Sequence, residues 1–116
     1  MTKHSLRNYI EHMQEAATEA REFTKGLTKD QFLENNCVQR AVVMDLIIIG
    51  EAATNIMDCY PEFADAHSEV PWHKMRGIRN RVTHGYFEID LNVIWETVQL
   101  ALPELLRQLS DIQDAA

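Results

Sequence analysis

The chain reads as an all-α protein, an up-and-down bundle of four to five helices. Two observations predict this. Apolar residues recur at spacings of three and four through most of the 116 residues, and no stretch shows the alternation of a half-buried strand. The breaks between periodic stretches are few, and each carries helix punctuation in the form of Gly, Pro or a capping side chain. No repeat, linker or low-complexity tract divides the chain, so residues 1–116 form one domain, long enough to bury a real core.

The first helix is marked by Leu6, Ile10, Met13, Ala17 and Ala20, one apolar stripe ended by Gly26. Thr28 and Gln31 then form a capping-box pair, and a short helix is expected around Phe32 and Leu33. A long helix follows from about Asn36 to Asp58. Its inner face is Val38, Val42, Leu46, Ile49, Ala53 and Ile56, widened by Val43, Ile47, Ile48 and Met57, which makes it the central helix. CYPEFADAHSEVP is the main break, bounded by Pro61 and Pro71, and Pro71 suits the first position of the next helix. That helix turns Trp72, Met75, Ile78 and Val82 inward and ends at Gly85. Asp90 caps the last helix, whose stripe runs Leu91, Ile94, Trp95, Val98, Leu102, Leu105, Leu109, Ile112. Pro103 within it predicts a kink or two helices end to end.

Composition narrows the function. With 46% hydrophobic and 25% charged residues the chain is a folded one, and its net charge of -7 is not the overall footprint of a nucleic-acid binder. The two cysteines, Cys37 and Cys59, have no metal-ligand or redox spacing and are expected to be buried, reduced thiols. The opening residues MTKHSLRNYIEH lack a signal-peptide apolar region. The longest apolar run, AVVMDLIIIG, is interrupted by Asp45 and is about half the length needed to span a bilayer. A cytoplasmic protein with no membrane partner is expected.

Against that acidic background, no acidic residue lies between Glu69 and Glu88, while the same window holds His73, Lys74, Arg76, Arg79, Arg81 and His84. A solvated basic helix face is the plain explanation. The stretch RNRVTHGY argues for more. Asn80 and His84 share a helix face, continued upward by Arg76. Arg79, five before His84, converges on it only if the last turn loosens at Gly85, and Tyr86 then follows beside the same spot. Such a set suits a phosphodiester. Arg grips two phosphate oxygens at once, and His moves a proton near neutral pH. RNA brings its own nucleophile, the 2′-hydroxyl, so positioning, charge stabilisation and proton transfer suffice. Arg79 and His84, with Asn80 beside them, are thus candidates to meet a phosphodiester, and Arg76, Lys74 and Arg81 are candidate RNA contacts in the same basic window. No metal is expected, because His73 and His84 are eleven apart with no carboxylate near them in sequence, and no cofactor is implied. One chain offers one such histidine, so a symmetric dimer would supply both an acid and a base.

The spacing Arg79-x-x-x-x-His84-x-Tyr86, with Asn80 after the arginine, resembles the R-x-x-x-x-H-x-Y motif of HepT-like toxins in the HEPN superfamily. FTKGLTKDQF, LIIIGEAA, VPWHKMRGIRNRVTHGYF and VIWETVQLALPELL resemble the same family in order, so the likeness covers nearly the whole chain. The resemblance implies a HEPN-like helical domain that acts as a homodimer, with Arg and His of both subunits lining one cleft; by position Arg79 and His84 would be catalytic and Asn80 would support them. It implies a metal-independent endoribonuclease toxin of a type II toxin–antitoxin pair, with tRNA as the substrate class and a larger toxin–antitoxin assembly as its setting. The implied partner is an MNT-type nucleotidyltransferase antitoxin, which silences the toxin by AMPylation of the motif tyrosine, here Tyr86.

Two other classes of function fit the same turn. One is a non-catalytic module that binds a nucleotide or docks the nucleotidyltransferase; the other is a structural partner in a helical assembly. Around the site, Glu51 either pairs with an arginine as a buried glutamate or serves Arg79, and Asp45 is either exposed between stripes or paired. Trp72 and Trp95 fit apolar stripes and are expected in the core rather than stacked on bases, while His4, His12 and His67 are expected at the surface without companions.

Overall fold

In the computed structural model, which describes residues 5–116, the described residues contain helices and connecting turns and no strand. Helix α1 spans Leu6–Thr24, α2 Lys29–Leu33, α3 Asn36–Cys59, α4 Pro61–Ala66 and α5 Trp72–His84. A short 3-10 turn, Tyr86–Glu88, leads to α6, Leu91–Glu96, and α7, Leu102–Ile112, which a π turn at Thr97–Ala101 joins into one long rod. The four long rods form the expected bundle, and α3 is its centre, packed on α1 along one flank and on α5 along the other.

The helix boundaries follow from local chemistry. Ser5 caps α1 by accepting from the Asn8 amide at 3.1 Å. Gly26 has φ +81°, a left-handed conformation that suits glycine and lets the chain leave the helix. Thr28 and Gln31 close the capping box reciprocally, at 3.1 and 2.9 Å. Gln39, buried in α3, donates its side-chain amide to the carbonyls of Phe32 and Leu33 and so ties the end of α2 to the central helix. Asp90 caps α6 through the Asn92 amide at 2.9 Å.

The core joins the inner faces of α1, α3, α5 and the last rod. Ile10, Met13, Ala17 and Ala20 meet Val42, Leu46, Ile49, Ala53 and Ile56, closed by Val98, Leu105 and Leu109. Trp72 is buried and donates its indole N–H to the His67 carbonyl at 3.0 Å, while Trp95 packs on Phe32 with ring centroids 5.4 Å apart. Both tryptophans therefore serve packing. Pro103 falls at the start of α7, where α6 and α7 run end to end through the π turn, one of the two outcomes expected of it. The Leu102 amide bonds back to the Thr97 carbonyl, and this wider turn accommodates a residue that cannot donate.

Several expectations need correction. The break around Pro61 contains a helix, α4, with Pro61 itself at the first position, and Pro71 sits one place earlier than expected, as the cap of α5. Cys37 and Cys59 are exposed, falling at the two ends of α3. Ile48 lies on the outer side of α3, beside exposed Met44, rather than widening the inner face. His67 is not isolated: its ring lies 4.5 Å from that of Phe63 and its Nδ1 3.4 Å from Glu69. His12 is exposed as expected, though not without companions, and His4 lies outside the described residues. Asp45 is buried, at 1% exposure. Among the described residues, no helix is long and apolar enough to cross a membrane.

Candidate nuclease site

The candidate site is built where α5 crosses α3. A Cβ added to Gly50 would lie 2.4 Å from Arg79 Cβ and 2.8 Å from the Met75 carbonyl oxygen. No side chain fits there, so glycine is what lets α5 lie this close to the central helix. The next residue, Glu51, meets Arg79 directly. Arg79 Nη1 donates to Glu51 Oε1 at 2.5 Å, and Arg79 Nε donates to Asn80 Oδ1 at 3.0 Å. Arg79 is the sheltered member of the pair, with its side chain 20% exposed against 54% for Glu51. The expectation of a buried glutamate was wrong, but its pairing with arginine is real.

Two turns along α3 the pattern repeats. Arg76 Nη2 donates to Asp58 Oδ1 at 2.9 Å, and Arg76 Nε reaches the Thr54 hydroxyl at 3.4 Å. That hydroxyl in turn donates to the Gly50 carbonyl at 2.8 Å. Two of the arginines expected to grip RNA thus lie along the α3 side of α5, each with a carboxylate.

Lys74 borders two clefts: one it shares with Arg76, His73 and Asp58, and a narrow crevice with Met75, Ile78 and Leu102. Arg81 lies apart, lining a cleft of about 270 Å³ with Ile78, Gly85, Ile89 and Val93. Cations at 74, 76, 79 and 81 span most of a helical turn, so they do not all share one face.

His84 is the last residue of α5 and is exposed. The helix does not loosen before it: the Gly85 amide still bonds to the Arg81 carbonyl at 3.0 Å. Gly85 has φ -147°, and a Cβ there would make only ordinary contact, 3.5 Å from the Arg81 carbonyl oxygen, so it ends the helix without a left-handed turn. The direct convergence of Arg79 on His84 within one chain is therefore not seen, and among the described residues no hydrogen bond links His84 or Tyr86 to Arg79 or Asn80. Tyr86 follows on the 3-10 turn, 42% exposed, its ring edge-on to that of Phe87 at 5.9 Å. Phe87 is 99% exposed, a residue that reading the sequence passed over. The end of α5 thus presents an imidazole and a phenol to solvent, one to two turns below a pair of arginines held against α3.

Comparison with known proteins gives this arrangement its context. Residues 13–112 match the profile of the family described as ribonuclease HepT-like. A candidate RNase from Caldanaerobacter subterraneus subsp. tengcongensis is 37% identical over 106 residues, covering 91% of this chain and 92% of the relative. A candidate ribonuclease HepT from Thermococcus cleftensis is 38% identical over 103 residues, covering 89% and 91%. A candidate RNase from Methanocaldococcus jannaschii is 32% identical over 108 residues, covering 93% and 96%. No solved structure gives a significant match.

Proposed function

The chain belongs to the ribonuclease HepT-like family, and from that premise we propose that it is a metal-independent endoribonuclease with Arg79, His84 and Asn80 as its catalytic residues. The observation that carries this reading is the end of α5, where His84 is open to solvent just beyond an Arg79 whose guanidinium is fixed by two hydrogen bonds. Arg79 holds the non-bridging oxygens of the scissile phosphate and stabilises the charge that builds on them. The RNA 2′-oxygen attacks phosphorus, the bond to the 5′-oxygen breaks, and the 2′ proton and the 5′-leaving group are served by histidine. The products are a 2′,3′-cyclic phosphate and a 5′-hydroxyl. Asn80 keeps the Arg79 fork in register through Nε.

His84 of one chain can act as base or acid, not both at once. A homodimer places two such ends across one cleft and supplies both roles. Arg76, Lys74 and Arg81 bind the flanking phosphates, and tRNA is the substrate class. The protein acts in the cytoplasm as the toxin of a toxin–antitoxin pair, alone as a dimer or within a larger assembly. Its partner is an MNT-type nucleotidyltransferase. In the silencing step Tyr86 Oη attacks the α-phosphorus of ATP, the new P–O bond forms, and pyrophosphate leaves. The exposure of Tyr86 supports access by such a partner. The added phosphate and base then compete with RNA for the arginines.

The role of the RNA nucleophile is tested by chemistry on the substrate. Once a cut site is mapped, a substrate with 2′-deoxyribose on the 5′ side of the cut should resist cleavage. Cleavage that persists there rules out attack by the 2′-hydroxyl.

A further inference from the structure

We propose that Glu51 and Asp58 of α3 stand in for RNA phosphates, holding Arg79 and Arg76 until RNA displaces them. The inference rests on the ribonuclease reading above and adds to it how the site is kept closed to weak ligands.

The geometry is that of two parallel pairs. Glu51 and Asp58 are seven apart, two turns along one face of α3. They bind Arg79 at 2.5 Å and Arg76 at 2.9 Å. In both pairs the arginine is the better sheltered partner, 20% and 30% exposed, and the carboxylate faces water, 54% and 64% exposed. The packing of α5 on α3 therefore holds the arginines, while the carboxylates are free to swing into solvent.

Energies make displacement cheap but not free. An ion pair with a solvent-facing partner is weak, because water screens it and two long side chains must be held in one geometry. A phosphate gripped by two parallel N–H donors binds an arginine more strongly than that. On Arg79 one edge of the fork is part-occupied by Asn80 and the other by Glu51, so a two-point grip on phosphate requires one of them to leave. Asn80 belongs to the same helix turn, and Glu51 is the partner that can move away. A ligand with one phosphate displaces one carboxylate, whereas an RNA strand spanning both arginines displaces both and gains from two grips. The paired carboxylates thus favour a polynucleotide over a mononucleotide. They also account for a basic helix inside a protein of net charge -7.

The test measures affinity without turnover. A fluorescent 2′-O-methyl RNA oligonucleotide has no 2′-hydroxyl and cannot be cut, and its binding is followed by anisotropy. Glu51→Gln should bind about three- to fivefold tighter than the native chain, and Glu51→Gln with Asp58→Asn tighter still. The control, Glu104→Gln, removes the same charge from a carboxylate paired with Arg107 on α7 and should change affinity by less than about twofold. A merely structural role for Glu51 would lower affinity, so the direction of the change decides. If Glu51→Gln binds no tighter than the native chain, or Glu104→Gln tightens binding as much, the proposal is overturned. If the native chain cleaves tRNA while Glu51→Gln gains nothing, only the carboxylate gate fails. If no variant binds RNA and the native chain does not cleave, the ribonuclease reading fails and takes the gate with it.

Discussion

Gly50 and Arg79 are in contact at a distance no other residue would allow, since a Cβ on Gly50 would lie 2.4 Å from Arg79 Cβ. One glycine on the central helix therefore fixes where the candidate catalytic arginine sits. Gly50→Ala should push α5 away from α3, lowering stability by about 1–3 kcal/mol and reducing cleavage in step. Denaturant midpoints and initial rates measured side by side check this. An alanine variant of native stability would mean that the crossing is looser than described.

The two arginines should separate kinetically. Arg79 is proposed to meet the reacting phosphate and Arg76 a flanking one. Arg79→Ala should therefore lower kcat, whereas Arg76→Ala should raise KM and leave kcat largely intact. Steady-state kinetics on a mapped substrate distinguish the two, and equal losses of kcat would place both arginines at the reacting centre.

Asp45 gives the fold a pH dependence. It is 1% exposed, and its pKa is raised from 3.8 to about 7, chiefly by burial and then by a hydrogen bond to, and the charge of, the neighbouring Glu19. The folded state favours the neutral acid, so between pH 4 and 7 it binds more protons than the unfolded chain. Stability from this group is present below the unfolded value of 3.8 and is lost as pH rises through about 7. Asp45→Asn should match the native chain near pH 4 and exceed it at pH 8 by more than about 1 kcal/mol. Thermal melts of the two chains across that range measure the difference, and a difference that stays constant with pH would contradict the assignment.

Tyr86 should be the point of silencing. With an MNT-type nucleotidyltransferase and ATP, the native chain should gain mass in AMP units and stop cleaving, whereas Tyr86→Phe should gain none and keep cutting. Intact-mass spectra and a cleavage gel on the same samples report both. AMP found on Tyr86→Phe would move the modification to another residue.

What the sequence made legible was local. The capping box at Thr28 and Gln31, the Asp90 cap, the start of α3 and the apolar stripes all depend on residues within a few positions of each other, and all are found in the fold. The family likeness was likewise readable from motifs in order along the chain. The site's wiring was less so. Glu51 and Arg79 are 28 residues apart, and only the close crossing at Gly50 makes them partners. The separation of Arg81 from Arg76 and Arg79 depends on which helix covers each flank of α5. Exposure at helix ends escaped a reading by residue type, as Cys37 and Cys59 show. Proline at 103 announced a disturbance, yet the π turn that absorbs it is a property of the packed rod.

The central claim is that Arg79 and His84 form the site of a metal-independent ribonuclease, and cleavage of total tRNA in excess EDTA tests it most directly. The native chain, shown by intact mass to be unmodified at Tyr86, is run beside His84→Ala on a denaturing gel. The account predicts discrete tRNA fragments with the native chain and intact tRNA with His84→Ala. Intact tRNA in both lanes, or the same fragments in both, would contradict it.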